Sequence, residues 1–399
     1  MKNVYRITAD LFLVDGTKIN ITDYIREVVF LQSIKTRYII VDLKVSTNIL
    51  KFIHSDFSHI DLNVGWRLYE NMDFTWYHFR LVPRNVTVDS FIEKKDPQAP
   101  MQNFQWIPLV DKATYDICNQ EVKSDVYEFK TIKEVLHAIY PGKLITDPTM
   151  QSEVIEQVYI PTMTQDSAFN YLEYWFGYYQ TATDIAYIYD PEYSTIEVRI
   201  IDVNYRMKNR LIDFNIRKLT YDNTVLEFPP ELERRDLYVT HYPVQIKNHL
   251  ARVLEFSEVV FIEKPLNYLY KTYQWENIDF INSFSYLDTS VDPLEDNVTL
   301  EPYSRILIRN HTGFKDYPIT SVLGTDLGHS VEVTTDIEYA RPFAIWPSYI
   351  VKIEFTNMNM MKFSGVYHTD VVKYHFKMGD PNWHSVFTFK FDRANYITR

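Results

Sequence analysis

The sequence predicts a mainly β protein of the α+β class: two small antiparallel β-barrels per chain, a mixed helix-and-hairpin segment between them, and a second, smaller insertion. Three observations carry this prediction. Period-two alternation of apolar and polar residues recurs at both ends of the chain, the mark of strands with one buried face. Between about 115 and 180 the period lengthens to that of helices. The chain holds 31 Tyr and 25 Phe but only 9 Gly in 399 residues, a balance that favours strands and large contact surfaces.

The first barrel is expected within residues 1–110. Ile7, Ala9, Leu11 and Leu13 alternate, Asp15-Gly16 supplies a tight turn, and Ile19 and Ile21 return as the second arm of a hairpin. Strands follow at Val28–Leu31 and at Tyr38–Ser46, where Ile39, Val41, Leu43 and Val45 share a face. A short helix fits Asn48–His54, and strands resume at Ile60–Leu68, Trp76–Val82 and Val86–Ile92. Five to seven strands within about a hundred residues suit a small barrel. The run Lys94 to Pro100 reads as its exit loop.

Residues 111–205 read as the mixed segment. Ile132, Val135, Leu136 and Ile139 fall at helical spacing, and Pro141-Gly142 stops the helix. Thr164 or Asp166 caps a second helix with the apolar stripe Ala168, Leu172, Trp175 and Phe176, ending at Gly177. A hairpin runs from Ala186 to Ile201 with its turn at Asp190–Ser194.

The second barrel is expected to be discontinuous, 206–249 and 298–399, around an aromatic and acidic insertion at 250–297. Phe228-Pro-Pro230 breaks its early strands, and further strands fit Arg305–Arg309, Tyr317–Val322 and Ser330–Thr334. A closing meander follows. Val351, Ile353 and Phe355 alternate with Lys352 and Glu354; the long stretch Phe363–Phe376 keeps Val366, Val372, Tyr374 and Phe376 on one parity; and Trp383–Phe391 places Phe387, Phe389 and Phe391 together. Gly365 is the position where a bulge or bend is expected.

These last strands carry a resemblance. Phe363-x-Gly365-x-Tyr367, then Val371-Val372 and His375, a polar turn, and Trp383-x-x-x-Phe387-x-Phe389 resemble the closing strands of barrel domains in bacteriophage tail hubs and baseplates. The pattern is similar to that of the central baseplate hub proteins of contractile-tailed phages and to the N-terminal part of type VI secretion spike proteins. The helix carrying Ala168-x-x-Tyr171-Leu172, its Gly177 stop and the aromatic hairpin resemble the helical insert of the same family. The resemblance implies a homotrimeric ring in the virion tail baseplate, assembled in the host cytoplasm. Such a ring joins the tail tube to the central spike, touches other baseplate proteins, and lets DNA through its channel without specific binding. It implies no active site, no cofactor and no metal. Type VI spike proteins continue into a needle; here the sequence stops shortly after Phe391, so a separate spike chain is expected.

Composition narrows the alternatives. A formal charge of −12 argues against a chain that grips nucleic acid and leads to the expectation of an acidic channel wall. The single cysteine, Cys118, excludes an intramolecular disulfide framework, and no zinc spacing of Cys and His occurs. No apolar run has signal-peptide or membrane-spanning length, so no membrane insertion is expected. The sequons at Asn85 and Asn297 therefore carry no glycosylation meaning.

Catalytic signatures are missing. Gly324-Thr-Asp-Leu-Gly328 lacks the Lys and helix of a phosphate loop and reads as a turn. His368, Asp370, His375 and His384 crowd the closing strands, but opposite parity separates His375 from His368 and Asp370, which favours hydrogen-bonded strand residues over a metal site. His54 and His59 offer no better ligand set. Asp292, Glu295 and Asp296 read as a solvated loop beside Pro293, the alternative being a carboxylate pair for glycoside cleavage. The run Tyr268 to Trp275 reads as packing or subunit contact. The competing functions are a tail-associated cell-wall hydrolase and a carbohydrate-binding module for host attachment.

Overall fold

The computed structural model describes residues 5–46, 57–67, 72–84, 104–179, 183–218, 236–239, 245–248, 329–336, 341–354, 365–378 and 386–393. The expected helix at 48–54, the strands at 86–92, 305–309 and 317–322, and the insertion at 250–297 lie outside them.

The N-terminal hairpin forms as its alternation requires. Strand β1 (Tyr5–Leu13) pairs with β2 (Lys18–Asn20), and Gly16 takes the positive φ of 86° that the turn demands. Next come β3 (Ile25–Ser33), β4 (Ile40–Ser46), β5 (Phe57–Trp66), β6 (Thr75–Pro83) and β7 (Phe104–Asp111). They pair antiparallel in the order β3-β4-β7-β6-β5-β1-β2. Ile39, Val41, Leu43 and Val45 are all buried, as the alternation predicts. Strand β7 escaped prediction because Pro108 interrupts its pattern; it sits in the middle of the sheet between β4 and β6.

The middle of the chain supplies α1 (Lys112–Asn119), β8 (Glu121–Val122), β9 (Asp125–Thr131), α2 (Ile132–Ile139), β10 (Lys143–Thr146), β11 (Val154–Ile160), β12 (Met163–Thr164) and α3 (Gln165–Trp175). The hairpin β13 (Thr183–Asp190) and β14 (Thr195–Asp202) follows, then α4 (Val203–Lys208). Helix α3 begins where its cap predicts, and α2 begins at a cap that the structure adds. Thr131 and Glu134 exchange hydrogen bonds in a capping box, and Thr164 accepts from the Ser167 amide. Gly177, at φ 70°, ends α3 by donating to the carbonyls of Leu172 and Glu173.

Two apolar cores result. One lies inside the large sheet; the other is built from α2, α3 and the hairpin. Strand β13 serves both, Ile185 and Tyr187 facing the helices while Ala186 and Ile188 face the sheet. An unbroken run of buried residues, 184–189, is the consequence.

The C-terminal elements are β15 (Phe214–Lys218), β16 (Asp236–Val239), β17 (Gln245–Asn248), β18 (His329–Asp336), β19 (Ile350–Glu354), β20 (Gly365–Lys377) and β21 (Val386–Arg393). The 13-residue β20 joins the two ends of the chain. Along one edge it pairs first with β19, over residues 365–368, and then with β3, over 371–377; β21 runs along the other edge. All fourteen strands of this system form one sheet, and no closed barrel is found among the described residues.

Two expectations need correction. The irregularity in β20 falls between Thr369 and Val371, not at Gly365, because that is where the strand passes from β19 to β3. There the Thr369 amide still donates to Tyr349, while the Asp370 carbonyl already accepts from Ile34. The second correction concerns direction: β15 pairs in parallel with both β16 and β19, where antiparallel neighbours were expected. Long connections separate these strands in sequence, and a crossover, unlike a tight hairpin, permits parallel pairing.

Candidate assembly surface

The mixed segment is fixed to the sheet and to the elements that follow it by polar contacts, most of them buried or partly buried. His368 on β20 bonds through Nε2 to the Asp184 carboxylate on β13, both side chains nearly inaccessible to water. Gln32 donates to the Tyr187 carbonyl (2.8 Å), the Tyr189 hydroxyl to the His78 carbonyl (2.8 Å), and the His78 amide to the Pro191 carbonyl (2.8 Å). Arg37 pairs with Asp166 and donates to Asn170 at 2.8 Å. Arg206 grips both oxygens of buried Asp147 (2.9 and 2.8 Å). Asp213 accepts twice from Arg199, at 3.0 and 3.1 Å, and also from the Ile350 amide at 3.0 Å, so it ties β14 to the start of β19.

A segment without regular structure, residues 341–349, threads this junction. Phe343, at φ 57°, sends its ring into the sheet core against Phe79 (4.8 Å), Tyr374 (4.9 Å), Phe30 (5.0 Å) and Tyr77 (5.3 Å). The backbone of Ile345 is held at both ends by Tyr374, whose hydroxyl accepts from its amide and donates to its carbonyl. Arg341 reaches the Tyr77 hydroxyl (2.8 Å) and Glu192 (2.6 Å). Sequence reasoning missed this segment because it has no period; the triplet Phe343, Ile345 and Trp346 between two prolines was the available signal.

The histidines do not converge. His368 is taken by Asp184; His375, on the opposite parity, bonds to Glu27 at 2.7 Å, and Glu27 also receives Lys44 at 2.7 Å. Burial pushes Glu27 upward, but the hydrogen bonds and charges of Lys44 and His375 outweigh it and leave the carboxyl below its ordinary range. Burial holds the His375 imidazole below its ordinary value despite Glu27. Asp370 is buried at the strand crossing. His59 stacks on Phe12 with ring centroids 4.5 Å apart. His54, His384, residues 268–275, Asp292, Glu295, Asp296 and the loop 324–328 lie outside the described residues. Among the described residues no group of three His, Cys, Asp or Glu could hold a metal ion, and no helix is long and apolar enough to cross a membrane.

What remains on the surface is apolar and acidic. Val126 and Tyr159 are exposed on one face of the two-stranded ribbon β9–β11; Phe129 and Val154 are exposed towards the far end of the other face, through which Val158 and Ile160 close the helical core. Residues 111–205 hold 16 Asp and Glu against 6 Lys and Arg, a net charge of −10 within a chain of −12. Residues 1–110 hold 12 against 13, a net +1. The charge is therefore concentrated in the mixed segment.

No family model matches this sequence, and no curated protein matches it. Solved structures do. The 43 kDa tail protein of prophage MuSo2 from Shewanella oneidensis aligns over 97% of this chain and 96% of its own, at 9% identity and a TM-score of 0.47. The tail protein from Neisseria meningitidis MC58 aligns over 98% and 97%, at 9% identity and a TM-score of 0.47. These structural neighbours are phage tail proteins. A third, the E. coli c3393 protein, is described as a type VI secretion component similar to the T4 tail proteins gp27 and gp5; it aligns over 93% of this chain and 74% of its own, at 7% identity and a TM-score of 0.40. At such identities the likeness is one of fold.

Proposed function

We propose that this chain is a structural hub of a phage tail baseplate, without enzymatic activity. Three copies, each presenting two barrel-like halves, would make a ring between a sixfold tail tube and a threefold spike, with a passage for DNA at its centre. The barrels would be 1–110 and the discontinuous pair 206–249 and 298–399, with 111–205 and 250–297 set to one side. The protein would reside in the virion tail and be assembled in the host cytoplasm, in contact with tube, spike and other baseplate proteins.

The observation that carries this reading is the sharing of β20. One strand belongs at once to the sheet of the first half, through β3, and to that of the last, through β19 and β21. Two strand-rich halves fused edge to edge would, if they share a topology, give a single chain two similar faces side by side, the property a threefold ring needs to meet a sixfold one. Of the residues weighed as a metal set, His368 is held by Asp184 and His375 by Glu27.

Native mass spectrometry of the purified full chain tests the proposal. A trimer that binds the end of tail-tube rings is expected; a monomer at tens of micromolar, or clearing of peptidoglycan in a zymogram, overturns it.

A further inference from the structure

We infer that the outward face of strands β20, β3, β4 and β7 is a contact for a second copy of this chain, whose acidic segment 111–205 is the surface that meets it. The inference rests on the hub reading for the closing of a ring, and on the register and charge of this face for the contact itself.

Register defines the face. Lys377, Glu27, Lys44 and Trp106 lie opposite one another across the four strands, and so do His375, Val29, Asp42 and Pro108 in the neighbouring outward row. Directly paired residues share one side of a sheet. The alternate rows, Phe376 with Val28 and Leu43, Tyr374 with Phe30 and Val41, are buried in the core, so the first two rows point outward. Trp106 is 41% exposed, with the Lys44 ammonium 5.5 Å from its ring; two positions along β7, Arg26 lies 5.5 Å from the ring of Phe104. Trp and Arg set together are the composition of an interface rather than of an ordinary surface.

The face is basic. Arg26, Arg84 and Lys373 are exposed, and Lys44 and Lys377 add to them; Arg84 and Lys373 both bear on half-buried Asp42. Against these five cations stand the two carboxylates Glu27 and Asp42, a net +3. Face-to-face contact between copies would set like charges together, so the counterpart lies elsewhere.

The opposite charge is in the same molecule, since residues 111–205 carry −10. They meet the sheet from its other side: Ala186, Ile188 and Tyr189 join the inner core, and Gln32, on the inward parity with Val372, donates to Tyr187. One chain therefore presents opposite charges on opposite sides of a sheet, and its copies pair head to tail, the kind of contact that closes into rings. Carboxylates among the cations and a total charge of −12 disfavour a nucleic-acid backbone as the occupant. Covered by a neighbouring copy, the face lines no passage.

Sedimentation velocity of the full chain at tens of micromolar, in about 0.05 and about 0.5 M salt, tests the contact. Assembly is expected, with subunit affinity falling about tenfold at the higher salt as the charges are screened. Arg26→Glu with Lys373→Glu should not self-associate, and neither should a fourfold change of Glu121, Glu128, Glu153 and Glu156 to Lys; all six side chains are exposed, and thermal melts should match the parent. Mixed together, the two variants keep one native pair of surfaces between them and should associate. Trp106→Ser leaves every charge in place and should weaken assembly about tenfold at both salt concentrations. A parent that assembles while these variants assemble equally well, or a mixture that stays monomeric, overturns the inference and leaves the hub reading standing. A parent that is monomeric at both salt concentrations overturns both. Open filaments that the variants dissolve uphold the contact and overturn the ring.

Discussion

At the scale of single residues, two carboxylates respond to pH in opposite senses. Asp111 caps α1 through one oxygen, accepting from the Thr114 amide and hydroxyl at 2.9 Å each. Its other oxygen is buried without a partner, and burial raises its pKa from 3.8 to about 6. A raised carboxyl pKa means that the fold favours the protonated form, so stability is gained below the unfolded value and lost as pH rises through about 6. Asp111→Asn keeps the cap and removes the titration; urea denaturation at pH 8 should show it more stable than the parent by about 2 kcal/mol, with the advantage vanishing near pH 4. Glu27 and His375 act the other way. Both sit below their ordinary values, so their shared contribution is present at neutral pH and lost on acidification, His375 from about pH 6.5 and Glu27 further down. Glu27→Gln with His375→Gln should flatten that acid limb. His368→Ala strands the Asp184 carboxylate and should cost about 3–5 kcal/mol, whereas His368→Ala with Asp184→Ala should cost less than the single change.

At the scale of elements, legibility followed local signals. The helices at 132–139 and 165–175 were readable because stripe and stop coincide in each, Pro141-Gly142 after the first and Gly177 after the second with Thr164 as its cap, whereas the capping box of Thr131 with Glu134 came only with the structure. Thr131→Ala should therefore cost about 1 kcal/mol in thermal denaturation. Strand β13 was readable as a hairpin arm, but its service to two cores was not, since an unbroken apolar run does not say what lies on each side. The ribbon β9–β11 went unread because its partners lie far apart in sequence and its exposed apolar residues give no clean period. The strand crossing at Asp370 was misplaced to Gly365 because composition points to glycine, while the cause is the change of neighbour from β19 to β3. Deleting Lys373, inside the regular pairing to β3 and β21, turns Tyr374 and Phe376, both buried, to the opposite face and should abolish soluble protein, while Lys373→Ala should remain folded by circular dichroism.

For the molecule as a whole, the distribution of charge adds to what the total says. A total of −12 suggested an acidic channel wall, yet residues 111–205 carry −10 and the first strand-rich part +1. If the strands line a passage, its wall is closer to neutral and weak phosphate affinity must come from a lack of basic clusters rather than from repulsion. Short duplex DNA should then pass through or elute from the assembled oligomer without retention at about 0.15 M salt, measured by gel shift. The two strand-rich ends were legible but their joining was not, because pairing between β20 and β3 joins residues more than 330 positions apart and no local pattern records it.

The crossing strand also has a mechanical meaning. Strand β20 is clasped on one edge by β19 and β3 lying end to end, and on the other by β21 spanning most of its length. A load pulling the two halves apart along β20 would meet the hydrogen bonds to β21 side by side, as a splint does, instead of opening them one at a time. Rupture would then require many bonds to fail together, at a rate set by the unfolding barrier rather than by equilibrium stability. Optical-tweezer pulling along this axis should register a single high-force event in place of a staircase of small ones.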